Sequence, residues 1–284
     1  MDALPPAHFS QADSVESLYL DLLKKSLTRY LFPDKYRRVL GERGTVRGAL
    51  YEPIRRLLEK TRYQLVRAVP VDPEARYEGR DRPGEAETMV GLRRLDHLHS
   101  CIAEILDAGV PGDLVEAGAW RGGASIFMRG ALTAYGDSNR RVWVADSFHG
   151  LPRPDPDKYP ADAGDLHWRG PSLAVSLETV QANFAKYGLL DERVVFLPGW
   201  FSETLATSPI EGISLLHCDC DMYSSTTQVL QSLYARVAVG GYVIVDDYGD
   251  VQGCRAAVDD FRRDNRIVQT AERVGPSIAW RRES

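Results

Sequence analysis

The chain has 284 residues, 44% of them hydrophobic and 26% charged, with 35 Lys and Arg against 40 Asp and Glu. That length and apolar fraction can bury a full core unaided and exclude a disordered or collagen-like chain. The net charge of −5 argues against a dedicated nucleic-acid binder, and the acidic excess lies in residues 91–284, the first 90 being slightly basic.

Residues 1–13 are polar and read as loose. From Val15 onward Leu18, Leu20, Leu22, Leu23, Leu27, Tyr30 and Leu31 recur at helical spacing. A second helical pattern over 51–69 sets Ile54, Leu57, Leu58, Leu65 and Val66 among Arg and Lys, which reads as a solvated face, with a membrane-surface helix as the alternative. Residues 70–87, rich in Pro, Gly and charge, read as a surface loop. A helix follows over 95–108.

Short apolar runs then alternate with helical stretches. Strands are expected at 113–117, 142–145, 194–197, 213–217 and 242–245, and helices at 124–135, 175–187, 202–207, 224–237 and 254–265. The chain closes on 267–271 and 277–281. Such alternation predicts an α/β fold with a mainly parallel, doubly wound sheet. The domain reading is an N-terminal helical extension and loop over 1–87 and a catalytic unit over 88–284. Ligands of such sheets bind at the carboxyl ends of the strands, at the switch point.

The first of these strands ends in Glu116-Ala117-Gly118-Ala119-Trp120-Arg121-Gly122-Gly123. Glycines after a strand admit close approach of a ligand to the backbone. The spacing matches neither the dinucleotide fingerprint nor a P-loop. Glu116 before the turn suits a cation such as an amino group or a sulfonium; the alternative is a plain tight turn. The second strand ends in Asp146-Ser147, where an acid accepts hydrogen bonds from ribose hydroxyls. Gly199 and Trp200 close the third strand, and Trp200 offers a flat surface for an adenine or, equally, a core side chain.

The strongest pattern is acidic. Asp219 and Asp221 follow one apolar strand, and Asp246 and Asp247 end the next in VIVDDY. Like charges at close range raise one another's pKa unless a cation shares them. All-oxygen ligation indicates Mg²⁺ rather than zinc, with helix N-capping as the alternative use of a single Asp. Cys101, Cys218, Cys220 and Cys254 are too few for a disulfide scaffold, and the C-x-C pair lacks partners at zinc spacing. With no basic or apolar leader in MDALPPAHFSQADSVES and no apolar run near ~18 residues, a soluble cytoplasmic protein without a membrane segment is expected.

Taken together, LYLDLLKKSLTRY, ETMVGLRRLDHL, GDLVEAGAWRGGASIFMRG, VADSFHGLP, DCDMYSSTTQVL and GGYVIVDDY resemble the macrocin O-methyltransferase family over residues 18–280. The resemblance implies a Rossmann-like S-adenosylmethionine-dependent methyltransferase fold. It also implies methylation of a deoxysugar hydroxyl on a glycosylated natural product, in antibiotic biosynthesis. Glu116 and Gly118 would hold the methionine end of S-adenosylmethionine, Asp146 and Ser147 the ribose, Trp120 would also bind the cofactor, and Thr88 and Met89 would belong to a loop over it. Asp219, Asp246 and Asp247 would hold Mg²⁺. Asp219-Cys220-Asp221 departs from the family's more usual Asp-Gly-Asp, and residues 37–62 match poorly.

For the base that accepts the hydroxyl proton, the candidates are Asp219, then Asp221, then His149. The long loop from His149 to Pro171 reads as a lid over the acceptor, and the N-terminal helices as walls of the acceptor pocket or a homodimer contact. A phenol- or catechol-type O-methyltransferase and a non-catalytic cofactor-binding protein of the same fold are the competing readings.

Overall fold

The computed structural model describes residues 14–33, 36–38, 51–61, 63, 65–81 and 83–283. The reading of 1–13, and part of the poorly matching 37–62, fall outside these. Helix α1 (Val15–Leu27) starts at Ser14, whose hydroxyl accepts from the Ser17 N–H at 3.2 Å. Its Leu20, Leu23 and Leu27 are buried in one cluster with α4 (Leu92–Asp107) and α5 (Gly123–Ala134), so this helix is part of the main core.

The helix expected over 51–69 is shorter. Strand β1 (Tyr36–Arg38) pairs antiparallel with β2 (Val66–Ala68), while α2 spans Glu52–Thr61 only. The β-branched and apolar run after Tyr63 thus extends instead of coiling. Within the expected loop 70–87 lies α3 (Pro73–Glu78). It carries every local signal of a helix: Asp72 accepts from the Ala75 N–H at 3.0 Å, Pro73 occupies the first turn, and Gly79 closes it at φ 71°.

The remaining elements are β3 (Asp113–Ala117), β4 (Val142–Asp146), α6 (Leu177–Lys186), β5 (Val194–Pro198), α7 (Phe201–Thr204), β6 (Ile213–Cys218), α8 (Tyr223–Leu233), β7 (Val237–Val245), α9 (Gln252–Asp264), β8 (Glu272–Val274) and β9 (Ser277–Arg281). The strand expected at 267–271 is irregular. The two-residue turn Gly275-Pro276 pairs Val274 with Ser277 and so sets the hairpin further along.

The sheet order is β5-β4-β3-β6-β7-β9-β8. Pairs from β5 through β7 are parallel, and β9 runs antiparallel to both neighbours. Successive strand side chains point to opposite faces. Leu114 and Val144 accordingly join the cluster under α1, α4 and α5, while Val115, Ala117 and Ala145 join the one under α8 and α9. The order turns back on either side of β3, so the crevice lies above the carboxyl ends of β3, β4 and β6. Among the described residues no helix is long and apolar enough to cross a membrane.

Candidate active site

The crevice is built around one close backbone contact. Gly118 has φ 89°, and a Cβ there would sit 1.8 Å from the Asp219 carbonyl oxygen. The Asp219 N–H donates to Ala117 O at 2.9 Å, and the Cys220 thiol donates to the same carbonyl at 3.1 Å. The ends of β3 and β6 are therefore fastened together, and the departure at Cys220 is absorbed by that bond.

Asp146 braces the turn from the neighbouring strand. Its carboxylate accepts from the Ala119 N–H at 2.7 Å, the Trp120 N–H at 3.4 Å and the Phe148 N–H at 2.7 Å. Burial nonetheless pushes its pKa above the usual carboxylate range.

Asp219, Asp246 and Asp247 each bring an oxygen within 4.8 Å of the others. Burial, then the charges of Asp246, Asp247 and Asp221, raises Asp219 well above the ordinary range. Burial with Asp221 and Asp246 pushes Asp247 up to about 8. Burial alone would raise Asp246 too, but the Arg94 guanidinium, His217 and the Ser277 hydroxyl hold it below its ordinary value. Ser277 Oγ donates to Asp246 Oδ1 at 2.6 Å, and Arg94 pairs with Oδ2. Asp247 also accepts from the Asp221 N–H at 2.9 Å, where Asp221 takes φ 57°. An all-oxygen set of crowded carboxylates fits a hard divalent cation such as Mg²⁺. The four cysteines are buried as free thiols and none joins this group.

Beside the cluster opens a cleft of about 250 Å³, walled by Met89, Gly118, Trp120, Asp146, Ser147, Gly199, Trp200, Asp219 and Asp221, and by Arg153, Lys158 and Tyr159 of the long loop. Asp246 and Asp247 are not in its wall and reach it through Asp219. Thr88 is buried beside it, its hydroxyl accepting from the Val90 N–H at 3.0 Å.

Two candidates stand elsewhere. Glu116 faces away from the cleft: it is 1% exposed, accepts from the Ser125 hydroxyl, and lies 3.3 Å from His217 Nδ1. Contact between its carboxylate and a cationic ligand is thus replaced by a buried link between β3, α5 and β6. His149 is exposed and absent from the wall, with Nδ1 2.6 Å from Ser147 O.

The sequence reading missed Arg94, His217, Ser277 and Asp162. Asp162, 2% exposed, accepts from the Tyr223 N–H at 2.7 Å and the Ser224 N–H at 3.0 Å, and so caps α8 from within the long loop. The signal for it was a deficit: Met222 stands at the N-cap and offers no acceptor.

Sheet order, glycine turn and the braced acid of the second strand end define the S-adenosylmethionine-dependent methyltransferase fold. The sequence model described as Macrocin-O-methyltransferase (TylF) matches residues 16–282, and the chain belongs to that family of O-methyltransferases. It is 44% identical over 271 residues to the 8-demethyl-8-(2,3-dimethoxy-alpha-L-rhamnosyl)-tetracenomycin-C 4'-O-methyltransferase of Streptomyces olivaceus, covering 95% of this chain and 94% of that protein. It is 43% identical over 279 residues to the demethyldecarbamoylnovobiocin O-methyltransferase of Streptomyces niveus, covering 96% of each. The solved structure of the O-methyltransferase NovP superposes with a TM-score of 0.81 at 42% identity, covering 95% of this chain and 100% of that one.

Proposed function

We propose that the chain transfers a methyl group from S-adenosylmethionine to a deoxysugar hydroxyl of a glycosylated natural product, with Mg²⁺ held by Asp219, Asp246 and Asp247. The observation that carries this reading is the close contact of Gly118 with Asp219, which lines the cleft beside the glycine turn and belongs to the carboxylate triad, so that Asp219 joins the two. The named relatives support the acceptor class.

When bound, S-adenosylmethionine supplies an electrophilic methyl group and Mg²⁺ supplies Lewis-acid stabilisation of charge developing on the acceptor oxygen. The protein's own residues do the rest. Gly118 would hold the methionine end, Asp146 and Ser147 the ribose, and Trp200 beside Gly199 would offer a face to the adenine, with Trp120 in the same wall. Asp219 is the carboxylate placed to take the hydroxyl proton as the oxygen gains the methyl group, with Asp221 next to it in the wall. Placing both ligands against one wall would supply proximity between donor and acceptor. Residues 88–284 carry this machinery, and α1 buttresses it through α5.

EDTA is expected to abolish methyl transfer and added Mg²⁺ to restore it. Activity indifferent to chelation refutes the metal assignment. Labelled S-adenosylmethionine offered with demethylated glycosides and with simple catechols tests the acceptor class: label entering only the catechols refutes the sugar reading.

A further inference from the structure

Arg94, near the start of α4, is a cation with two unrelated partners. One guanidinium nitrogen, Nη1, donates to Asp246 Oδ2; the other, Nη2, donates to the Met89 carbonyl at 3.2 Å. The pair with Asp246 is buried, its side chains 10% and 5% exposed. The socket is tight on the opposite side too, because a Cβ on Gly79 would meet Nη2 at 2.6 Å and Gly91 N at 2.6 Å. Gly79 thus leaves the room that Nη2 occupies, and the planar fork of the guanidinium holds both partners at once.

Those partners belong to different sites. Asp246 is one of the three clustered carboxylates, and Met89 lines the cleft. We propose that Arg94 is a positioning residue that couples cation binding at the cluster to the seating of the Met89 segment over S-adenosylmethionine. The inference rests on the metal reading above. A cation shared among the carboxylates fixes Asp246, Asp246 fixes the fork, and the fork fixes the Met89 carbonyl. Ordering is then accomplished once for both ligands, so each tightens the other, and the coupling is reciprocal.

The test is calorimetric and uses the full chain. S-adenosylmethionine is titrated in EDTA and in saturating Mg²⁺, and Mg²⁺ is titrated with and without S-adenosylmethionine. Wild type is expected to bind S-adenosylmethionine about tenfold tighter with Mg²⁺ present, within the usual 5–150-fold range of such couplings. Arg94→Lys keeps the charge but not the fork, and is expected to bind S-adenosylmethionine with the same affinity in both conditions. Arg76→Lys is the control. Arg76 is an equally buried arginine at α3 that pairs with Asp81 and the Thr28 carbonyl, outside the cleft, and this variant keeps the wild-type ratio.

If Arg94→Lys does not fold, hydrogen exchange in wild type decides: Mg²⁺ alone must slow exchange at residues 88–91. An Arg94→Lys protein that keeps the tenfold ratio, or wild type that binds Mg²⁺ without any ratio or protection, overturns the coupling alone. Wild type that binds no divalent cation overturns the metal reading and the coupling with it.

Discussion

Gly118→Ala strikes the point where the two halves of the site touch. The added Cβ would stand 1.8 Å from the Asp219 carbonyl oxygen, which must retreat by about 1.2 Å to reach even a tight 3.0 Å contact. The position also has φ 89°, a conformation that costs an L-residue roughly 1–2 kcal/mol. Overpacking against a backbone atom adds about 1–3 kcal/mol. The sum, about 2–5 kcal/mol, lowers the melting temperature by roughly 10 °C in a chain of this size. Activity suffers more, since a displacement of about 1 Å at reacting groups costs on the order of 100-fold in rate. The same shift moves Asp219, so cofactor affinity and Mg²⁺ affinity should fall together in calorimetry. A variant that melts with wild type and turns over above about a tenth of its rate refutes the close contact on which the site is built.

Two further outcomes follow from buried polar groups. Asp162→Ala removes the cap of α8 and frees the long loop; the lost cap is worth about 1–2 kcal/mol, and the acceptor KM should rise roughly tenfold while S-adenosylmethionine affinity holds. Equal losses for both ligands would deny the loop an acceptor-side role. His99 is held down at about 4, by burial first and then by Lys24, against about 6.5 in the unfolded chain. Between those values the unfolded chain takes up a proton that the folded chain does not, so stability falls as pH drops from about 6.5 toward 4 and levels off below. His99→Leu should flatten that part of a melting-temperature profile; an unchanged slope refutes the assignment.

The features legible in the sequence were those whose chemistry is carried by consecutive residues. Gly118 to Gly123 announces a turn between strand and helix, and paired acids after apolar runs announce strand ends that converge once the sheet is parallel. The hidden ones depend on register and distance. Glu116 lies beside His217 in the β3–β6 pairing, and its side chain shares the face of Leu114, toward Ser125 of α5. No local pattern in DLVEA or ISLLHC reveals that facing. Arg94 meets Asp246 across 152 positions, and within its helix it is one basic residue of a charged surface. Strand β7 begins five residues before the expected 242–245, and Gly240-Gly241 lies inside it. In the sheet Gly241 is where two strands approach closely, its absent Cβ leaving room for Ser214 O, which it would otherwise meet at 2.7 Å.

The charge pattern of the site also bears on which cation it suits. Glu116 faces His217, Asp146 is met by three backbone N–H groups, and Asp246 has Arg94. Asp219 and Asp247 form no ion pair of their own among the described residues, and both are pushed upward in pKa by burial and by neighbouring carboxylates. With both ionised, the pair would hold two negative charges with no ion-pair partner of their own. A monovalent cation would leave one carboxylate to be protonated near neutral pH, and a second buried arginine would close the position from which Asp219 faces the cleft. A small divalent ion, the kind proposed above, would neutralise both acids at once. On that proposal, the acidic excess of the C-terminal two-thirds is, at this one place, a charge that a bound cation would complete.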